Sequence, residues 1–222
     1  MHELPAPLPP EERTVGQLVA ESLRLYGRRF WPSLALGVPP SILNLLARVL
    51  DESLLLVVVP VVGGLLLSLS YVGAVGVASE RSVPVLLPVL AGTLVFLPFP
   101  ILTAAFVLPG LVWLAALGLV VPVLALERLP FGAAFPRAFA LARADFVHAL
   151  GSLATLAIVV FLTQSGLFFL LRGTGDQTLA IASFVASLVV SPLLFLGAAL
   201  LYVDQVARVD VKRVVGGVRS PQ

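Results

Sequence analysis

The chain has 222 residues, of which 59% are hydrophobic and only 12% charged, with a mean hydropathy of +1.07. A water-soluble domain carries about a quarter charged residues, so most of this chain is built for lipid. The formal net charge of +2 is too small to argue for nucleic acid, and the absence of cysteine excludes disulfides, thiolate nucleophiles and zinc–thiolate sites.

Residues 1–12, MHELPAPLPPEE, are proline-rich and acidic. They lack the positive leader and apolar core of a secretory signal and read as a short disordered tail. Next comes TVGQLVAESLRLYGRRFWP. On a helix over 14–30, Val15, Leu18, Val19, Leu23, Leu25, Tyr26 and Phe30 fall in one arc of about 160°. Arg13, Gln17, Glu21, Arg24 and Arg28 lie opposite. Thr14 and Gln17 have capping-box spacing, which places the helix start at Thr14. An apolar arc with aromatics beside a basic face suits a helix lying in the headgroup region. Pro32 is the place for the chain to turn inward, with Tyr26 and Trp31 at the interface. The rival arrangement is one long tilted helix over 14–50.

A bilayer core of roughly 30 Å takes about 20 apolar residues in a helix. Counted on that rule, the chain holds six spans, near 31–50, 53–79, 83–106, 110–127, 147–171 and 178–203. The third and fourth come from one apolar block that must fold back once. Pro109–Gly110 is the favoured turn, with Pro98 and Pro100 then breaking the third span. Pro98–Phe99–Pro100 is the rival turn. Residues 208–222 form a basic tail. The expected fold is therefore all-α: a polytopic membrane helical bundle in one domain, 13–207, with six transmembrane helices and two interfacial ones.

Charge placement orients the bundle. With the N-terminus in the cytoplasm, twelve of the 14 Lys and Arg residues fall on the cytoplasmic side and only Arg48 and Arg172 outside. The positive-inside rule thus predicts a plasma-membrane protein with both termini cytoplasmic. Anionic headgroups at that face are the expected lipid partner.

The second interfacial helix is PFGAAFPRAFALARADF, expected over 131–146. Shifted by 116, the first stretch falls on it in phase: Gly16 on Gly132, Leu25 on Leu141 and Phe30 on Phe146. Each copy precedes two spans, which predicts a duplicated helix-plus-hairpin unit. Arg29 and Asp145, equivalent under the shift, are the only charges inside the two apolar arcs. They are expected to pair across a contact between the copies, although reaching separately to headgroups would serve each equally well. Asp204 and Arg208, at i and i+4, have the spacing of a simple pair.

No ionisable residue falls near the middle of a span, where transport or proton relay would call for one. Asn44 and Gln164 are the costliest polar side chains to bury and the candidates to line a polar cavity. Ser183, Ser187 and Ser191, like Gly64 and Ser68, have the spacing of close helix packing. The sequence offers no phosphate-binding glycine loop, metal constellation or nucleophile–base–acid set, so no cofactor and no enzymatic activity are expected.

Three segments carry a family resemblance: the amphipathic opening, the stretch VPVLALERLPFGAAFPRAFALARADF and the exit LLYVDQVARVD. The chain resembles the membrane-domain family of bacterial glycerophosphoryl diester phosphodiesterases. Glu127, Arg137, Phe139, Leu141 and Arg143 hold the places of that family's span-ending glutamate and following helix. Tyr202, Asp204 and Arg208 resemble its closing signature. The chain departs at Ala138 and Val206, where the family often has serine and arginine, and at Pro136, expected to interrupt the second helix. The soluble catalytic barrel of fused members is absent. The resemblance implies a non-catalytic membrane module or scaffold with a membrane or cytoplasmic protein partner. The alternative is a permease for a small or lipid-like solute, using the broken third span.

Overall fold

The computed structural model describes residues 9–173 and 175–218, and within these the protein is an all-α bundle. Eight helices follow in order. Helix α1 is Val15–Arg28. Helix α2 is Phe30–Val49, α3 is Glu52–Ser79, α4 begins at Leu86, α5 is Val107–Glu127, α6 is Phe131–Ala144 and α7 is Phe146–Leu171. Helix α8 is Asp176–Val218. The six helices other than α1 and α6 are long and apolar enough to cross a membrane. They make this a multi-pass integral membrane protein. Their outer faces fit that solvent: Leu56, Leu86, Val147 and Leu170 are each more than 70% exposed, which in water would be an aggregation surface.

Each amphipathic helix is set by its own sequence. The Thr14 hydroxyl accepts from the Gln17 N–H while Gln17 reaches back to the Thr14 N–H, a complete capping box. The helix ends at Arg29, whose φ of −119° and ψ of 49° leave the helical region. That is the turn into α2, earlier than the expected bend at Trp31–Pro32, and it rules out one long helix over 14–50. Helix α6 ends in the same way at Asp145, with φ −150° and ψ 79°. Pro136 lies inside α6 without ending it.

Two expected boundaries are corrected. The chain reverses between α4 and α5 at Phe106, which is extended, and not at Pro109–Gly110 or Pro98–Pro100. Pro109 lies in the first turn of α5, where an N–H has no intrahelical partner to lose. Gly110 is buried so closely on the preceding segment that an added Cβ would stand 2.3 Å from Thr103. Pro98 does break α4, splitting it into Leu86–Phe96 and Phe99–Ala105. At the chain ends, Pro10–Glu12 of the expected disordered tail form a 3-10 turn against α8, and the tail expected from 208 continues α8 to Val218. Residues 1–8 and 219–222 lie outside the described residues.

Other prolines are absorbed locally. Pro60 sits in a π turn, Val59–Gly63, and Pro122 directly precedes another, Val123–Glu127. A wider turn lets the helix continue past the missing N–H. Small residues bring the helices together where they cross. Gly37 of α2 touches α8 so closely that a Cβ there would fall 1.9 Å from the Leu188 carbonyl oxygen. Ser187 and Ser191 are buried on α8, as their spacing predicts.

Candidate functional site

Helix α8 has 43 residues. At 1.5 Å per residue it is about 65 Å long, roughly twice a bilayer core. Its last third therefore forms a post at the end of the bundle where α1 and α6 lie, and charged residues gather around it.

One cluster lies between α8, α1 and the start of α7. Asp204 is wholly buried, and Arg13 Nη1 donates to its Oδ1 at 2.6 Å. His148 Nε2 stands 3.5 Å from the other oxygen, Oδ2. That distance is too long for a good hydrogen bond. One turn further, Arg208 Nη1 donates to Asp145 Oδ2 at 2.6 Å and its Nη2 donates to the Arg13 carbonyl at 2.7 Å. Asp145 also caps α7, accepting from the His148 N–H at 3.0 Å. Gln205 donates to the Asp145 carbonyl at 2.9 Å, and Lys212 donates to the Ala144 carbonyl. The non-helical backbone at Asp145 is thus held by three side chains of α8.

A second cluster lies on the opposite side of α8. Arg137 Nε donates to both Glu127 oxygens, at 2.9 and 3.2 Å, and Tyr202 donates to Glu127 Oε1 at 3.0 Å. The hydrogen bond to Glu127 raises the Arg137 pKa above its ordinary value, so the guanidinium stays charged. The glutamate is presented by the π turn that ends α5, after which Arg128 takes a left-handed conformation with φ 52°.

These contacts sort the residues singled out in the sequence. Glu127, Arg137, Tyr202, Asp204 and Arg208 all meet at one end of the bundle. Arg143 does not join them; it is exposed and lies 5.3 Å over the Phe139 ring. Asp204 and Arg208 do not pair with each other, since helical neighbours at that spacing are here drawn to separate partners on α1 and at Asp145. Nor does Arg29 pair with Asp145. Arg29 meets Glu80 at 2.8 Å, at the left-handed end of α3, while Asp145 is taken by Arg208. Asn44 and Gln164 do line one small cavity, of about 40 Å³, with Ser183 of α8.

Arg13, His148, Gln205 and Lys212 complete the layer without having been singled out for it. A partial signal existed for His148: Asp145 stands three residues before it, the spacing of an N-cap and its bonded N–H. For the others the partner lies at least 60 residues away in sequence. The carboxylates Glu127, Asp145 and Asp204 each answer a guanidinium, and together they fasten α1, α5, α6 and α7 to the post of α8.

No protein-family model, curated protein or solved structure matches the chain.

Proposed function

We propose that the protein is a non-catalytic membrane module, a scaffold that offers a rigid charged platform to a membrane or cytoplasmic protein partner. The observation that carries this reading is the arrangement of ion pairs around α8. Arg13–Asp204, Arg208–Asp145 and Arg137–Glu127 tie α1, α5, α6, α7 and α8 together at one end of the bundle. Their acids are occupied as structural ties, and buried charges in such ties are valued for fixing one geometry more than for net stability. Arg24 and Arg28, which share Glu21 at 3.4 and 3.9 Å, and Arg143 are exposed on α1 and α6. Anionic headgroups and an acidic partner surface are what they would recognise. The sorting of cations supports placing this end in the cytoplasm and the module in the plasma membrane. The resemblance to the phosphodiesterase membrane domains supports the same reading.

The test is site-specific photo-crosslinking in intact cells from Arg24 and Arg143. A discrete, saturable protein adduct that disappears with R24E/R28E, while the chain remains inserted and folded, is the expected result. A permease is the second reading, favoured by the cavity that joins Asn44, Gln164 and Ser183. Solute flux through proteoliposomes that is abolished by N44L or Q164L, with no protein adduct in cells, would replace the scaffold by the permease.

A further inference from the structure

An apolar cleft lies between the broken α4, α5, α7 and α8. Its cavity volume is about 80 Å³, and its walls include Phe96, Phe99, Leu114, Gly118, Ala157 and Ala198. Two interruptions create it. Helix α4 breaks at Leu97–Pro98, between Phe96 and Phe99, and α5 breaks at Gly118–Leu119. A helix that bends away from its neighbour cannot fill the groove with its own side chains. The break does not leave the cleft polar, because the Val95 carbonyl is answered by the Trp113 indole N–H at 2.8 Å and the Tyr71 hydroxyl donates to the Ala198 carbonyl at 3.4 Å.

We propose that this cleft is a binding site for one hydrocarbon chain of a membrane lipid. It lies within membrane-spanning segments, so its surroundings are lipid. Its lining includes no charged side chain, which suits an alkyl chain and offers nothing to a polar solute. Its size decides between a chain and a helix from another copy of the protein. The lining runs from Leu111 to Leu119 on α5 and from Leu194 to Leu201 on α8, a length of about 12 Å at 1.5 Å per residue. The cavity, about 80 Å³, is far smaller than the roughly 900 Å³ that a helix 10 Å in diameter fills over that length. A slender alkyl chain can enter and a helix cannot. The site does not rest on the scaffold reading, since a lipid held there is compatible with either function.

The experiment reconstitutes the full chain in phosphatidylethanolamine–phosphatidylglycerol vesicles containing a phospholipid with a diazirine in one acyl chain. After illumination, adducts are mapped by peptide mass spectrometry. Adducts at Leu114, Ala157 and Ala198 should exceed those at Phe161, which is 67% exposed on the outside of α7. Filling the site with A157F/A198F should lower the cleft adducts by about fivefold and leave Phe161 labelled as before, since added bulk removes the space without touching the outer face. Equal labelling of cleft and outer face, or cleft labelling that survives the filling, overturns the site. If the double variant misfolds, the Phe161 adduct falls too and A157L decides: reduced cleft labelling supports the site and unchanged labelling overturns it.

Discussion

Arg29 and Asp145 hold equivalent places at the ends of α1 and α6 under the 116-residue shift, and each is paired within its own half of the chain. A shift of 116 residues carries Val15 onto Phe131 and Arg28 onto Ala144, so α1 and α6 begin and end at equivalent positions. Their buried faces coincide as well: Leu18, Ser22 and Leu25 fall on Ala134, Ala138 and Leu141, all buried. In each half the residue after the helix leaves helical geometry and bears a charge, and each meets the opposite charge on the helix that closes its hairpin. In the first half the pair is Arg29 with Glu80 of the α3 exit; in the second it is Asp145 with Arg208 of α8. The polarity is reversed between them, which keeps each half's break from attracting the other's partner.

The two pairs differ in strength, and mutation should separate them. Arg29 and Glu80 are 45% and 61% exposed, against 17% and 32% for Arg208 and Asp145. E80A should therefore cost less than about 1 kcal/mol. D145A removes both a partly buried ion pair and a helix cap, and should cost about 2–3 kcal/mol. D145N keeps the cap and should recover about 1 kcal/mol of that. Unfolding in mixed micelles measures all three. The swap R29D/D145R should restore nothing lost in the single variants, because those residues are not partners.

Asp204 is the most demanding charge in the molecule, with no solvent exposure and a 2.6 Å contact to Arg13. D204A leaves Arg13 beside an apolar gap and should destabilise by about 3–5 kcal/mol, the cost of stranding one member of a buried pair. R13A should cost a similar amount, and D204A/R13A less than the two together. A coupling of about 1–3 kcal/mol in that double-mutant cycle is expected, and additive losses would show the contact to be absent in solution.

The tie at Glu127 should ignore pH over the working range from the arginine side. A cation whose pKa is raised on folding stabilises the protein fully below its unfolded value and loses that contribution only as pH climbs through the folded one. For Arg137 that window opens only above the ordinary arginine range. The penalty of R137A should therefore be the same at pH 7 and pH 10. Y202F, which removes only the hydrogen bond to Glu127, should cost about 1–1.5 kcal/mol. R137K should recover little of the loss, since an ammonium cannot reproduce the planar contact with both carboxylate oxygens.

How much of this was legible in the sequence depends on the range of the forces involved. The six spans and two amphipathic helices follow from local composition and period; the first five spans and both amphipathic helices lie within a few residues of their expected places, while the sixth runs on as α8 to Val218. The break residues Arg29 and Asp145 were also legible, as the only charges in two apolar arcs. Their partners were not. Pairing is decided by which helices lie side by side at the bundle's end, and Glu80 and Arg208 were each as available to the eye as the wrong choice. The turn at Phe106 escaped for a different reason. Proline and glycine mark turns where solvent can receive the freed backbone groups, but here Pro109 occupies a helix's first turn and Gly110 a close contact.

The threading of the chain is the last prediction. Six spans place the segment joining α5 to α6 on the same side as Arg13 and the end of α8, and the Arg48–Glu52 and Arg172–Asp176 segments on the other. Cations are sorted to match, since among the described residues the first side holds eleven of the 13 Lys and Arg. A reporter active only in the cytoplasm should work when inserted after Leu129 or fused beyond Arg213, and fail after Asp51 or Gly173. Reversing the charge of the first helix with R24E/R28E/R29E should produce a mixed population of orientations. The closing pairs around α8 resist such inversion, because Arg13, Asp145, Asp204 and Arg208 must reach one aqueous face together to form them. A reporter active both after Leu129 and after Asp51 in the unmutated chain would mean that a span is missing between them.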